Sequence, residues 1–88
     1  MKGDDIQERT LQFATRVLKM DRALSRNRQV NRRAMSQLVD AAMSIGANLQ
    51  EARGAQSRAD FHAKVRISLK EARESHYWLR LLSASSLL

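Results

Sequence analysis

Gln37–Leu82 reads QLVDAAMSIGANLQEARGAQSRADFHAKVRISLKEARESHYWLRLL, and this stretch decides the fold. Two helical patterns meet in it at Gly54-Ala55-Gln56-Ser57. On the N-terminal side, Val30, Ala34, Leu38, Ala41, Ile45, Leu49 and Ala52 recur at the spacing of one helix face, with Met35 and Ala42 at its border. The spacing predicts a helix from Arg28 to Arg53, ended by Gly54 as a C-cap. Gly46 lies inside this pattern, where glycine costs about 1 kcal/mol relative to alanine. A neighbouring helix passing close by would explain it. On the C-terminal side, Ser57 is a good N-cap and Asp60 suits the first turn, so a helix is expected from there to at least Leu82. Its apolar stripe is Phe61, Val65, Leu69, Ala72, His76 and Leu79. At about 100° per residue, Ile67, Trp78 and Leu81 project from a different side.

Upstream, Ile6, Phe13, Val17, Met20 and Leu24 fall at helical spacing, with Ala14 and Leu18 widening the stripe. Asp5 as N-cap and Glu8 three residues on make a capping-box pattern, which predicts a helix from Asp5 to Leu24. Ser25-Arg26-Asn27 is a short polar break, so the next helix should turn back antiparallel. The expectation is an all-α, up-and-down antiparallel bundle forming one domain over residues 1–88, with Ile45, Leu49, Phe61, Val65 and Leu69 buried. Helices of about 25 residues are about 37 Å long, so the bundle should be elongated and its core thin.

The composition sharpens that point. A chain of 88 residues buries only about 60–65% of its unfolded surface. It has no cysteine, so neither a disulfide nor a thiolate metal site can add stability. Oligomerisation is the remaining common source of burial, and Ile67, Trp78 and Leu81 are assigned to a subunit interface on that ground. The 16 Lys and Arg outnumber the 9 Asp and Glu, for a net charge of +7. Arginine dominates the cations, and it suits paired contacts with phosphate or carboxylate. Such a balance points to nucleic acid, an acidic protein or an anionic surface. The acidic start, Met1-Lys2-Gly3-Asp4-Asp5, lacks a signal core, and no apolar run approaches the roughly 20 residues that cross a bilayer. A cytoplasmic protein without a membrane partner is expected.

Two sets of side chains stand out as candidates for binding. Arg22, Arg26, Arg28, Arg32 and Arg33 cluster around the first helix–helix turn, with no acid among them after Asp21. They read as a platform for phosphates or as a solvated helix end. Cations at the start of a helix oppose its dipole, which tips the balance towards function. Arg66, Lys70, Arg73 and Arg80 share a face of the last helix, with Tyr77 near them. A basic wall with an aromatic suits single-stranded nucleic acid; the alternative is pairing with Glu71, Glu74 or acids across the bundle. Asn48, Glu51 and Glu74 border apolar faces and read as a structural polar network. His62 and His76 are too far apart to act together on one helix, and His76 reads as a packed core histidine. No phosphate loop, nucleophile elbow or metal-ligand spacing is present, so no catalytic residue, metal or cofactor is expected.

The chain also resembles the four-helix-bundle proteins of the 23S ribosomal RNA intervening-sequence type. The resemblance rests on Gln37-Leu38, Ser44-Ile45-Gly46-Ala47-Asn48, Glu51-Ala52, Ser57, Asp60-Phe61, Lys64, Leu69-Lys70-Glu71-Ala72-Arg73-Glu74 and Tyr77-Trp78-Leu79. It implies a bundle that assembles into a ring, a homopentamer being the usual form. It also implies kinship with the accessory protein of diversity-generating retroelements, a basic barrel that associates with a reverse transcriptase and nucleic acid. The family implies no catalytic residues. Its members usually carry a fourth helix after the Tyr-Trp-Leu segment, whereas this sequence ends at Leu88, so three helices are expected here. Together these readings point to a non-enzymatic, basic homo-oligomer that binds RNA or DNA through phosphates. The alternative is a protein-binding scaffold or accessory subunit, for example for a reverse transcriptase.

Overall fold

Three helices account for most of the chain: α1 (Lys2–Ala23), α2 (Arg32–Arg53) and α3 (Arg58–Ser85). This computed structural model describes residues 2–85, with side chains from Asp5 onward. Among the described residues there is no strand, and no helix is long and apolar enough to cross a membrane.

The last helix starts as its sequence dictates. Ser57 Oγ accepts a hydrogen bond from Asp60 N at 3.0 Å, and Asp60 Oδ2 accepts from Gln56 N at 3.4 Å. These bonds occupy backbone donors that a helix start leaves free. Gly54 caps α2, donating its N–H to Glu51 O, but its φ of −100° is open to any residue. Two boundaries differ from expectation. The first helix begins at Lys2, so Asp5 and Glu8 lie inside it rather than forming a capping box. Acid near a helix start complements the dipole, which lets the helix extend upstream. The second begins at Arg32 rather than Arg28, because two asparagines hold the chain in turns. Asn27 Oδ1 accepts from Gln29 N at 2.9 Å, and Asn31 Oδ1 accepts from Ala34 N at 2.9 Å as the N-cap.

Consecutive helices run antiparallel. Asp21 meets Arg32 near the first turn, and Thr10 lies against Gly46 well away from it. Glu51 meets Lys64 near the second turn, and Ser68 Oγ donates to Ile45 O at 2.9 Å further along. The molecule measures 46 × 21 × 16 Å, with a radius of gyration of 14.4 Å. About 12 Å would suit a compact domain of this length, so the bundle is elongated, as expected.

The core sits at one end. Val17, Val30, Ala34, Met35, Leu38, Ala42 and Leu82 are buried together, with Phe13, Met20, Leu24, Val39, Trp78 and Leu79 packed on them. Small residues at Ala34, Ala41 and Ala42 let the helices approach closely. Gly46 has the role expected of it, since α1 passes beside it at Thr10.

At the other end the expected burial fails. Ile45 is buried, but Leu49 and Val65 are half-buried, and Phe61 and Leu69 are 46% and 51% exposed. The cause is that α2 packs along both other helices, whereas α1 and α3 meet only through side chains of the core at one end and stand across an open groove beyond it. An open groove of about 640 Å³ separates α1 from α3, lined by Ile6, Phe13, Leu49, Val65, Leu69, Ala72 and Leu79 among others. The apolar stripe of α3 therefore faces this groove, with only its inner edge against α2. His76 lies on the same wall and is exposed, not packed into a core.

Candidate nucleic-acid interface

Arg28 and Arg33 line one concave surface together with Trp78 and Leu81. Gln29, Asn31, Ala34, Gln37 and Ser85 complete it, around a space of about 760 Å³. The turns at Asn27 and Asn31 create this arrangement. They keep Arg28 off the helix, so it extends from the linker while Arg33 projects from the first turn of α2. The antiparallel return of α3 brings Trp78 and Leu81 alongside. The sequence placed these two pairs in separate roles, phosphate contact and subunit interface; the fold puts them on one surface.

The charges on this surface are not cancelled. Among the described residues, Arg28 and Arg33 form no ion pair, and both are exposed. Arg32, between Arg28 and Arg33 in the sequence group, is different: its Nη2 lies 3.1 Å from Asp21 Oδ1, with both side chains partly exposed. Arg22 and Arg26 are exposed at the end of α1 and in the linker. Arg22 sits in the last turn of α1, where the helix dipole favours a cation.

Arg66, Lys70, Arg73 and Arg80 are all exposed along α3. Tyr77, expected to serve as their aromatic, is 57% exposed and stands edge-on to Trp78, with ring centroids 5.1 Å apart and planes at 75°. It does not line the groove with Arg28 and Arg33, whereas Trp78 does. Gln29 and Gln37 also line it, and reading the sequence alone missed them. The two asparagines, each able to bond its own backbone, were the signal that the chain around Gln29 is a turn.

Asn48, Glu51 and Glu74 do not form one network. Asn48 Nδ2 donates to Ser44 O at 2.8 Å within its own helix, and Glu51 pairs with Lys64 Nζ at 3.3 Å across α2 and α3. Glu74 is half-buried on α3 and joins neither. Among the described residues no group of His, Cys, Asp and Glu is placed to hold a metal ion.

Residues 3–88 match the family described as 23S rRNA-intervening sequence protein. A crystal structure of a protein with unknown function from the S23 ribosomal protein family of Bacteroides thetaiotaomicron is also similar. It shares 39% identity, superposes with a TM-score of 0.91, and matches all of this chain and 78% of its own. No curated protein matches the chain significantly.

Proposed function

We propose that this chain, which belongs to the 23S rRNA-intervening sequence protein family, is a non-enzymatic protein of the cytoplasm that binds RNA or DNA through its phosphates. The observation that carries this reading is the pair of arginines, Arg28 and Arg33, free of acidic partners on one concave surface. Arg22, Arg26, Arg66, Lys70 and Arg73 extend the positive field in a chain of net charge +7. Arg32 contributes less, since Asp21 already holds it. Phosphate contacts give affinity with little sequence preference. A homo-oligomeric ring, with a pentamer as the family resemblance implies, would repeat weak contacts and raise avidity. In this proposal Ile67, 38% exposed, remains a subunit contact, while Trp78 and Leu81 belong to the binding surface. The test is a titration with labelled RNA and DNA at several salt concentrations. Binding that weakens steeply with salt supports the reading; absence of binding to either at low salt overturns it.

The open groove between α1 and α3 favours a second reading, an accessory subunit that docks a partner protein. The groove is apolar along its floor, and Arg9 stands on its α1 side. Arg66, Arg73 and Arg80, spaced by seven, follow one another along α3 just beyond Leu69 and His76. Basic edges around an apolar floor suit an amphipathic helix with acidic flanks, presented for example by a reverse transcriptase. A second copy of this chain, itself at +7, would bring like charge to those edges. A peptide with a leucine stripe and glutamate flanks should bind, and its lysine-flanked twin should not. Equal binding of the two would remove this reading.

A further inference from the structure

We infer that the surface between the start of α2 and the end of α3 is a subsite for one unpaired nucleotide, with its base stacked on Trp78 and its flanking phosphates held by Arg28 and Arg33. This deepens the proposed RNA binding and rests on it, because it names single strands as the preferred ligand.

Trp78 is only half-buried: it packs on the core and also lines the groove. Its Nε1 is buried, so the part of the indole that lines the groove is apolar carbon, a platform that Leu81 extends along α3. Bases stack on such a platform without regard to sequence, because every base has a π-face. A duplex cannot use it, since its bases already stack on one another and would have to unpair first. The space of about 760 Å³ accommodates a nucleotide. The amides of Gln29 and Gln37 lie on the same surface. An amide donates and accepts, so it can meet the edge of any base and adds contact without strict readout.

The charges divide the ligand in the same way. Arg28 comes from the linker and Arg33 from α2, so the two guanidinium groups approach the groove from different elements. Neither is engaged by an acid, so each can meet a phosphate of a strand whose base lies on Trp78.

The chain contains a single tryptophan, so intrinsic fluorescence reports on this site alone. We would titrate the protein with oligoadenylate RNA, with a duplex of equal length, and with the same strand made abasic at every position. Binding would be followed in parallel by anisotropy of a labelled strand. The intact strand should quench Trp78, and the abasic strand should bind without quenching and roughly tenfold or more weakly, as loss of stacking implies. Trp78→Leu should lower affinity for the intact strand by a similar factor and remove the difference between intact and abasic strands, with circular dichroism confirming that the bundle persists. If wild-type protein binds intact and abasic strands equally and Trp78 fluorescence does not change, the subsite is overturned while phosphate binding stands. If no nucleic acid binds at low salt, the proposed function fails and the subsite with it.

Discussion

A β-carbon on Gly46 would lie 3.0 Å from Thr10 Oγ1, closer than ordinary side-chain contacts. Thr10 cannot swing away freely, because its hydroxyl donates to Gln7 O at 2.9 Å. The missing side chain therefore sets how closely α1 approaches α2. In wild type, Gly46→Ala should be close to neutral in thermal unfolding, because the contact offsets the gain in helix propensity. Combined with Thr10→Ala, the same substitution should stabilise by about 1 kcal/mol, the full propensity difference. Equal effects in the two backgrounds would show that the contact is unimportant.

The uneven core predicts an uneven response to truncation. Leu38 is fully buried in the main cluster, so Leu38→Ala should cost about 2–5 kcal/mol in denaturant unfolding. Leu69 faces the open groove and Phe61 is 46% exposed near the start of α3, so Phe61→Ala and Leu69→Ala should each cost under about 1 kcal/mol in the isolated chain. A cost at Leu69 equal to that at Leu38 would mean that the groove is filled in solution.

Ser75 is 2% exposed, and its Oγ has no hydrogen-bond partner, whereas Ser68 nearby on α3 donates to Ile45 O. A buried hydroxyl without a partner loses its hydration without return. Ser75→Ala should therefore be neutral or stabilising by about 1 kcal/mol, and Ser68→Ala destabilising by about the same amount. Reversal of the two signs in equilibrium unfolding would contradict the geometry.

Salt separates the arginines from one another. Replacing both Arg28 and Arg33 with alanine should flatten the plot of log affinity against log salt by about 0.7 per lost contact on a single strand. Arg32→Ala should flatten it less, since Asp21 pairs with Arg32. All these side chains are exposed, so unfolding midpoints should barely move. An Arg32 effect equal to the others would indicate that the surface pair opens for RNA.

Assembly has a direct measure. The chain is 10.0 kDa, and light scattering at micromolar concentration should give a multiple of that mass. Ile67→Glu should shift the mass towards a single chain, because a charge at a subunit contact must lose its hydration. A wild-type species of 10.0 kDa would remove the ring from the proposal.

The sequence by itself determined the three helices, their order, the family and the basic character, because each depends on local rules. Apolar spacing sets a helix face, Gly54 ends α2 and Ser57 starts α3, and charge is a sum over residues. Gly46 was legible for the same reason, since a glycine in a helix interior calls for a close neighbour. Only the tertiary structure decided which apolar faces meet. Phe61 and Leu69 obey the same periodicity as Leu38, yet they stay exposed because burial needs a second surface, and away from the core end α1 and α3 stand apart. Only the fold, too, joined Arg28 and Arg33 to Trp78, residues 45 or more positions apart in the chain. Periodicity records which side of a helix a residue occupies. What stands opposite it depends on how the helices pack.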